Sequence, residues 1–444
     1  MTSITQSEVD SFFQLFNIGR VLKKIGAYKT RGIPAVDVFQ KLFELAFSHI
    51  TLFMTLKMNE NNSAAKDTFY RFINSCHVNW MRFTSLLASS IVNEKLVNLT
   101  DEKRVNVFIV DDTPYERNRS KNVELLSRVY DHSKGTFIRG FRLLTLGWSD
   151  GNTFVPVNSC HLTSADAKNR FQEARDVDKR TCGYRQRQLA QGTAPVAMME
   201  MIRMALASGL LASYVLFDSW FSTPSNIAAL KKEKLNVVAI VKKTSKVHYR
   251  YEGKMLDVTD IYKRNQKRRG RSRYLLSVQA EISGGEDDLC IPVRLVFVRN
   301  RNRRKDYLVL VSTDLSLPEE EIIRIYGKRW SIEVFFKVCK STLRLTKECR
   351  SLSYDAMAAW TAIVFTRYMM LALLSRMYSD DRTVGELFYC VCEELADITW
   401  LESYCLLIEA FAKYVSEKLL LTEEQMKTMF EGFIAIFPEL LNKS

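Results

Sequence analysis

The sequence predicts a mixed α/β core with a helical region on either side of it. Two short apolar runs typical of strands, Val105–Val110 and Tyr214–Phe217, each end at aspartate. Apolar residues at helical spacing fill residues 1–100 and return after Leu352. With 444 residues there is room for two or three domains. We therefore expect a helical region at 1–100, the core at 101–350 and a helical region for self-association at 351–444.

Charge divides the chain into a basic part and an acidic end. The 64 Lys and Arg residues exceed the 50 Asp and Glu residues by 14. The last 67 residues, Tyr378–Ser444, hold 13 acidic and 5 basic residues, so the rest carries a net +22. Such an excess is typical of proteins that bind polyanions. The nine cysteines are scattered and odd in number, which favours reduced thiols and a cytoplasmic location.

Membrane insertion is not expected. The N-terminus MTSITQSEVDSFF is polar and acidic where a signal peptide would be basic and then apolar. The most apolar stretch, Ala358–Leu374, contains Arg367 and therefore predicts a buried helix rather than a membrane span.

The N-terminal region predicts several helices. We expect one that Ser7 caps and that runs through Ile25, a second with Pro34 in its first turn, and a third over Thr68–Ile91. Basic residues between short helices suggest a helix-turn-helix-like DNA reader, namely Lys23, Lys24, Lys29 and Arg31. Phenylalanines at helical spacing predict a core, namely Phe12, Phe13, Phe16, Phe39, Phe43 and Phe47.

The core has the predicted order βββαβαβ. The strand Val105–Val110 is followed by Asp111-Asp112-Thr113-Pro114, and Pro114 is expected to end it. A hairpin over Phe141–Ser159 comes next, then a helix from Ala194 to Leu206. The strand before Asp218, a helix opened by Pro224 and a strand from Leu235 to Val241 complete the order. Carboxylates thus follow two strands, where α/β sheets bind ligands, although a polar turn and a helix cap remain alternatives.

Two further stretches are strongly basic. The region Asp166–Gln188, which includes Arg187, predicts a solvated loop, with a DNA-contacting loop as the alternative. Between Val241 and Tyr326 the chain is β-rich, and the segment KRNQKRRGRSR at 263–273 has 7 basic residues in 11. That segment predicts a loop that binds polyanions.

The stretch Ile325–Lys340 predicts one helix with a polar stripe. At about 100° per residue, four side chains project within roughly 60° of one another. They are Tyr326, Arg329, Glu333 and Lys340. A carboxylate there is suited to a divalent metal, and the donors beside it are suited to phosphate. A structural ion-pair network is the alternative.

The spacing Tyr326-x2-Arg329-x3-Glu333-x6-Lys340 resembles the Y-R-E-K signature of the bacterial cut-and-paste transposases called the IS-four family. Tyr70-Arg71-Phe72-Ile73-Asn74 is also similar to a phrase in these proteins. The resemblance implies a ribonuclease-H-like core, with a β-strand insertion at about 242–320 and a DDE metal site. It also implies two Mg²⁺ ions, with Mn²⁺ as a substitute. The implied catalytic and metal-binding residues are Asp112, Asp218 and Glu333.

Asp111 and Asp112 cannot both enter one site if the strand alternates to its end. The resemblance to relatives with Asp-Thr at this point favours Asp112. Asp111 is then expected to face away and to accept hydrogen bonds from the backbone or pair with a basic residue.

The resemblance further implies double-stranded DNA as partner, both element ends with inverted repeats and target DNA, and a homodimer in the active complex. Tyr307 is similar in position to an aromatic residue that stacks on a flipped base, although an ordinary edge-strand tyrosine is the alternative. A nuclease that does not join DNA and a non-catalytic repressor are the rival functions. The expected DNA-binding residues are Tyr326, Arg329, Lys340, Tyr307, Lys263, Arg264, Lys267, Arg268, Arg269 and Arg271.

Overall fold

The computed structural model describes residues 6–29, 31–46, 52–54, 66–101, 104–269, 272–284, 289–300, 306–341, 343–378 and 425. The chain forms two compact units. The first comprises Met1–Ala239, Ile282–Ile291 and Lys328–Tyr378, and the second comprises Ile240–Glu281, Pro292–Gly327 and Ser379–Ser444.

The first unit begins with helices α1 (Gln6–Leu15), α2 (Ile18–Lys24), α3 (Ala35–Glu44), α4 (Lys66–Ile73) and α5 (Trp80–Ile91). Two predicted helices are each divided into two. Asn17 adopts a left-handed conformation with φ 44°, and its side chain accepts the N–H of Arg20, so α2 starts anew there. The Asn79 side chain accepts the N–H of Arg82 and so caps the start of α5. Pro34 is the residue before α3.

The predicted phenylalanine core is confirmed where the structure describes it. Phe12, Phe13, Phe16, Phe39 and Phe43 are all buried. Phe47 lies outside the described residues. Phe39 also stacks on the ring of Trp80, with centroids 6.0 Å apart, which joins α3 to α5.

The sheet of the first unit confirms the ribonuclease-H-like prediction. Its strands lie in the order β4-β3-β1-β5-β6, with β1 antiparallel to β3 and parallel to β5. Helices α6 and α7 precede β5, and α8 joins β5 to β6. A further short strand, β2, pairs with β3 and has no counterpart in the sequence prediction. The bounds are β1 Val107–Glu116, β2 Ser127–Asp131, β3 Thr136–Ser149, β4 Phe154–Leu162, α6 Cys182–Gln191, α7 Ala194–Ala207, β5 Tyr214–Phe217, α8 Pro224–Lys232 and β6 Asn236–Ile240.

Pro114 does not end the first strand, contrary to the prediction. β1 continues to Glu116, with Pro114 opposite Arg142 of β3. On its other edge β1 pairs with β5 only from Val107 to Ile109. A proline has no N–H to donate, so it is tolerated where that edge of the strand meets no neighbour.

The predicted loop at 166–188 is in part helical, and Arg187 is not a solvated residue. Arg187 lies in α6 with only 2% of its surface exposed. Its Nε donates to Glu124 Oε1 at 2.6 Å, and its Nη2 donates to Asp355 Oδ2 at 2.6 Å. These two carboxylates offset the cost of burying the guanidinium.

The second unit is β-rich, as predicted. It contains β7 (Tyr249–Tyr251), β8 (Lys254–Leu256), α9 (Val258–Arg264), β11 (Tyr307–Ser312) and α10 (Glu319–Gly327). It also contains most of β9 (Tyr274–Gly284) and β10 (Leu289–Arg299), whose ends within Ile282–Ile291 belong to the first unit. β10 and β11 form an antiparallel pair, from Arg294 opposite Ser312 to Arg299 opposite Tyr307.

The chain then returns to the first unit through α11 (Trp330–Ser341) and α12 (Tyr354–Tyr378). The single helix predicted for Ile325–Lys340 is therefore interrupted after Gly327. Lys328 is buried next to this break, and its ammonium donates to the carbonyls of Val105 and Asp150 at 2.6 and 3.3 Å.

Helix α12 is long and apolar enough to cross a bilayer, but 72% of its most apolar window is buried inside the protein. Arg367 within it is fully buried. Its Nε and Nη2 donate to the carbonyls of Phe43 and Leu42, at 2.8 and 2.7 Å, and its Nη1 pairs with Glu348 at 2.7 Å. The prediction of a buried helix at Ala358–Leu374 is confirmed.

Candidate active site

Asp111 and Asp218 lie just beyond the paired part of two parallel strands. β1 and β5 are in register from Val107 opposite Tyr214 to Ile109 opposite Leu216. Asp111 follows Ile109 by two positions within β1, and Asp218 directly follows Phe217, the last residue of β5. The charge of Asp218 acts to raise the pKa of Asp111, which indicates that the two carboxylates are near one another.

Helix α11 brings Glu333 to this pair of aspartates. Arg329, just before the helix, donates from Nη1 to Asp111 Oδ2 at 2.7 Å, and its Nη2 is hydrogen-bonded to Glu333 Oε1. One guanidinium thus bridges the two carboxylates. Lys340, further along the helix, donates to Thr113 Oγ1 at 2.6 Å, and Thr113 lies in the same side-chain row as Asp111.

Asp112 belongs to the other row. Its two oxygens accept a bidentate pair from Arg142, Nε to Oδ2 at 2.5 Å and Nη2 to Oδ1 at 2.6 Å. Arg142 lies opposite Pro114, two residues from Asp112 and in its row. The sequence prediction placed Asp112 with Glu333 and pointed Asp111 away. In the structure Asp111 is the aspartate that shares Arg329 with Glu333.

Burial and like charges act together on these carboxyl groups. Burial raises the pKa of Asp111 to about 7; Arg329 opposes the rise, and the charges of Asp112 and Asp218 add to it. Burial also raises the pKa of Glu333, again opposed by Arg329 and reinforced by Asp218. Burial lowers the pKa of the Lys340 ammonium. Burial thus disfavours the charged forms of all three groups, and Arg329 partly compensates for it at the two carboxyl groups.

A family described as "DDE superfamily endonuclease" matches residues 52–283, which is more than half of the chain. The chain belongs to this family. No curated protein matches the chain. The stretch that matches the DDE endonucleases contains Asp111, Asp112 and Asp218, and it ends before Glu333. Membership implies DNA as the substrate.

DDE endonucleases typically use divalent metals, and the donor chemistry of this site fits such ions. Carboxylate oxygens are the ligands that Mg²⁺ and Mn²⁺ prefer. Within the described residues, no three His, Cys, Asp or Glu side chains form a ready-made cation site. Arg329 instead supplies the positive charge between Asp111 and Glu333. Metal binding would compete with Arg329 for these carboxylates, each of which meets the guanidinium through one oxygen.

Tyr326 is not on the helix that carries Glu333, contrary to the predicted single stripe. It belongs to α10 of the second unit and is buried, with 1% of its surface exposed. The break at Gly327 separates it from Arg329, Glu333 and Lys340, which are all in the first unit.

Tyr307 of the second unit lies in an aromatic cluster. Its ring stacks on Tyr262 with centroids 4.0 Å apart, and the Lys243 ammonium lies 4.7 Å from the ring centroid. Only 9% of Tyr307 is exposed. Stacking on a flipped base would require Tyr262 or Lys243 to move.

The basic segment of the DDE endonuclease, predicted as a loop at 263–273, begins in the second unit with Lys263 and Arg264, the last two residues of α9. Lys267 and Arg268 lie over the rings of Tyr262 and Tyr274, at 4.7 and 4.2 Å from the centroids. These contacts hold the segment against the unit. Lys263, Arg264, Arg268 and Arg269 are exposed, whereas Arg271 lies outside the described residues.

Two residues of the DDE endonuclease site escaped the sequence analysis, Arg142 and Trp220. Arg142 reaches Asp112 from the neighbouring strand, a pairing that only the register of β1 and β3 reveals. Trp220 follows Asp218 by two positions, and its backbone N–H donates to Asp218 Oδ1 at 2.9 Å. The sequence signal for Trp220 was its position, since it is an aromatic residue two positions after a candidate catalytic aspartate.

The placement of Lys340 leads to a first prediction. Lys340→Ala is expected to lower the rate of DNA cleavage about tenfold to a hundredfold. The reason is that the ammonium donates to Thr113, which lies in the same side-chain row as Asp111. The melting temperature is expected to stay near that of the wild type, because the substitution removes one hydrogen bond, worth about 1 kcal/mol. Cleavage rate and melting temperature are measured together. Lys337→Ala, on the exposed face of α11, is the matched control. Unfolding of the Lys340 variant would favour a structural role.

Proposed function

We propose that this protein is a cut-and-paste DNA transposase that cleaves at the ends of an insertion sequence and joins those ends to target DNA. The observation that supports it most is the Arg329 guanidinium, which pairs with both Asp111 and Glu333, while the charge of Asp218 acts on both of these carboxylates. The resemblance of Tyr326, Arg329, Glu333 and Lys340 to the Y-R-E-K signature favours the IS-four family within the DDE endonucleases.

We assign the three carboxylates to Asp111, Asp218 and Glu333, in place of the set that begins with Asp112. These side chains would hold two divalent cations, Mg²⁺ or Mn²⁺. When bound, such a pair activates a water or a 3′-hydroxyl and stabilises the leaving oxygen. Arg329 would exchange its carboxylate partners for a DNA phosphate, which its planar fork grips with two hydrogen bonds. Lys340 adds a point charge beside it.

Strand transfer tests the proposal. The purified protein is incubated with Mg²⁺, a plasmid target and DNA that carries the sequences flanking its reading frame on both sides, where inverted repeats are expected. Joined products are expected. Cleavage without joining would indicate a plain nuclease, and binding without cleavage would indicate a repressor. Either result would contradict the transposase assignment.

Affinity for DNA is proposed to come from the basic segment of the second unit. Each phosphate contact contributes about 0.9 to the slope of log affinity against log salt. Replacing Arg268, Arg269 and Arg271 together with alanine is expected to weaken binding and to lower that slope by about 2 to 3. Fluorescence anisotropy over a salt series measures both. The triple variant Arg203, Lys232 and Lys234 to alanine removes the same charge from exposed positions of the first unit. Equal slopes for the two triple variants would contradict the assignment.

A further inference from the structure

Trp220 presents a large aromatic surface next to the carboxylates. Its side chain is 53% exposed, although it lies two residues after Asp218. On one side the guanidinium carbon of Arg142 lies 5.4 Å from the ring centroid. Arg142 is itself fixed by its bidentate pair with Asp112. The indole is therefore held beside the site by a cation–π contact.

The turn that carries Trp220 is firmly anchored. Phe217 before it and Phe221 after it are both buried, and their rings are 6.4 Å apart. The carbonyl of Phe221 accepts the side-chain amide of Asn226 at 2.8 Å. Asp218 accepts the backbone N–H of Trp220. The position of the indole is thus coupled to the position of a candidate catalytic carboxylate.

We propose that the Trp220 indole is a stacking platform for a nucleobase of the DNA strand that enters the carboxylate site. This inference rests on the proposed function insofar as DNA is the ligand. Every nucleobase offers a π face, so an exposed rigid indole binds bases without regard to sequence. A base inside a duplex is already stacked on both faces. We therefore take the base on Trp220 to be an unpaired one, next to the phosphate that the carboxylates act on.

The rigid turn has a consequence for this base. Because Asp218 fixes the backbone of Trp220, stacking on the indole would set the distance between the base and the carboxylates. An oligonucleotide that ends in unpaired bases should therefore bind better than a blunt duplex of the same length. The preference should not depend on a divalent cation.

The experiment compares two DNA probes in EDTA, so that cleavage does not occur. One is a blunt duplex, and the other carries a three-nucleotide single-stranded 3′ extension that contains 2-aminopurine. The wild type is expected to prefer the extended duplex and to change the 2-aminopurine fluorescence. Trp220→Ala is expected to lose roughly tenfold to a hundredfold in affinity for the extended probe alone.

Three further variants sharpen the result. Trp220→Phe keeps a π face and should retain most of the preference, whereas Trp220→Leu keeps apolar bulk and should lose it. Phe137→Ala is a matched control, since Phe137 is 54% exposed and has Arg128 3.8 Å over its ring. Full preference in Trp220→Leu, or equal losses in Trp220→Ala and Phe137→Ala, would overturn the proposal. A wild type that shows the Trp220-dependent signal but no strand transfer would leave the stacking site standing and contradict the transposase assignment.

Discussion

Replacing Asp111 with asparagine is expected to reduce metal-dependent DNA cleavage by about 10³-fold or more, an effect of the size seen when a group that stabilises the transition state is removed. Asp111 shares Arg329 with Glu333, and it is close enough to Asp218 for that charge to act on its pKa. An amide in its place cannot supply the negative charge that a divalent cation needs. DNA binding should survive, because the basic segment of the second unit is untouched.

Asp112→Asn is the matched control one residue away. Its carboxylate is held by Arg142 in the other side-chain row, so we expect a loss of about tenfold, the scale of a supporting residue. Both variants are assayed at several Mg²⁺ concentrations, with melting temperature as the check on folding. An inactive Asp112 variant beside an active Asp111 variant would restore the assignment that the sequence alone favoured.

Arg187→Ala is expected to destabilise the protein by about 3 to 5 kcal/mol. Arg187 is buried between Glu124 and Asp355, and its removal leaves two buried carboxylates without their cation. Glu124 also accepts the backbone N–H groups of Tyr354 and Arg175, so the loss would reach the start of α12. Urea unfolding at pH 7 measures the change in the free energy of unfolding.

Arg180→Ala provides the comparison for that measurement. Arg180 also pairs with a carboxylate, Asp178 at 2.7 Å, but its side chain is 90% exposed. An exposed pair contributes about 0 to 1 kcal/mol. The two variants remove the same side chain from neighbouring positions. If they were equally stable, the network around Arg187 would have no special structural role.

Strands and their order were predictable because their signals are local. The run Tyr214–Phe217 is apolar and β-branched or aromatic at most positions, and the observed strand has the same bounds. The other apolar run, Val105–Val110, also predicted a strand correctly, but the end of that strand was predicted too early. Pro114 was expected to stop it, and whether a proline is tolerated depends on whether a neighbouring strand faces it. That information is not in the strand's own sequence.

The choice between Asp111 and Asp112 shows the same limit more sharply. Because side chains alternate along a strand, only one of the two aspartates can point to a given face of the sheet. The register with β5 decides which face lies next to Asp218. Arg187 is a third case. Its sequence neighbours are polar, and its burial depends on Glu124 and Asp355, which lie 63 and 168 positions away.

The buried ammonium of Lys328 affects where the protein can tolerate insertions and deletions. Lys328 ties the start of α11 to the carbonyls of Val105 and Asp150, at the far end of β1 and in the hairpin between β3 and β4. These hydrogen bonds fix the start of α11, and with it Glu333, relative to β1. The chain of the second unit that precedes α11 is not needed for this attachment. Additions or deletions in the loops between the strands of the second unit should therefore leave the spacing of the carboxylates unchanged.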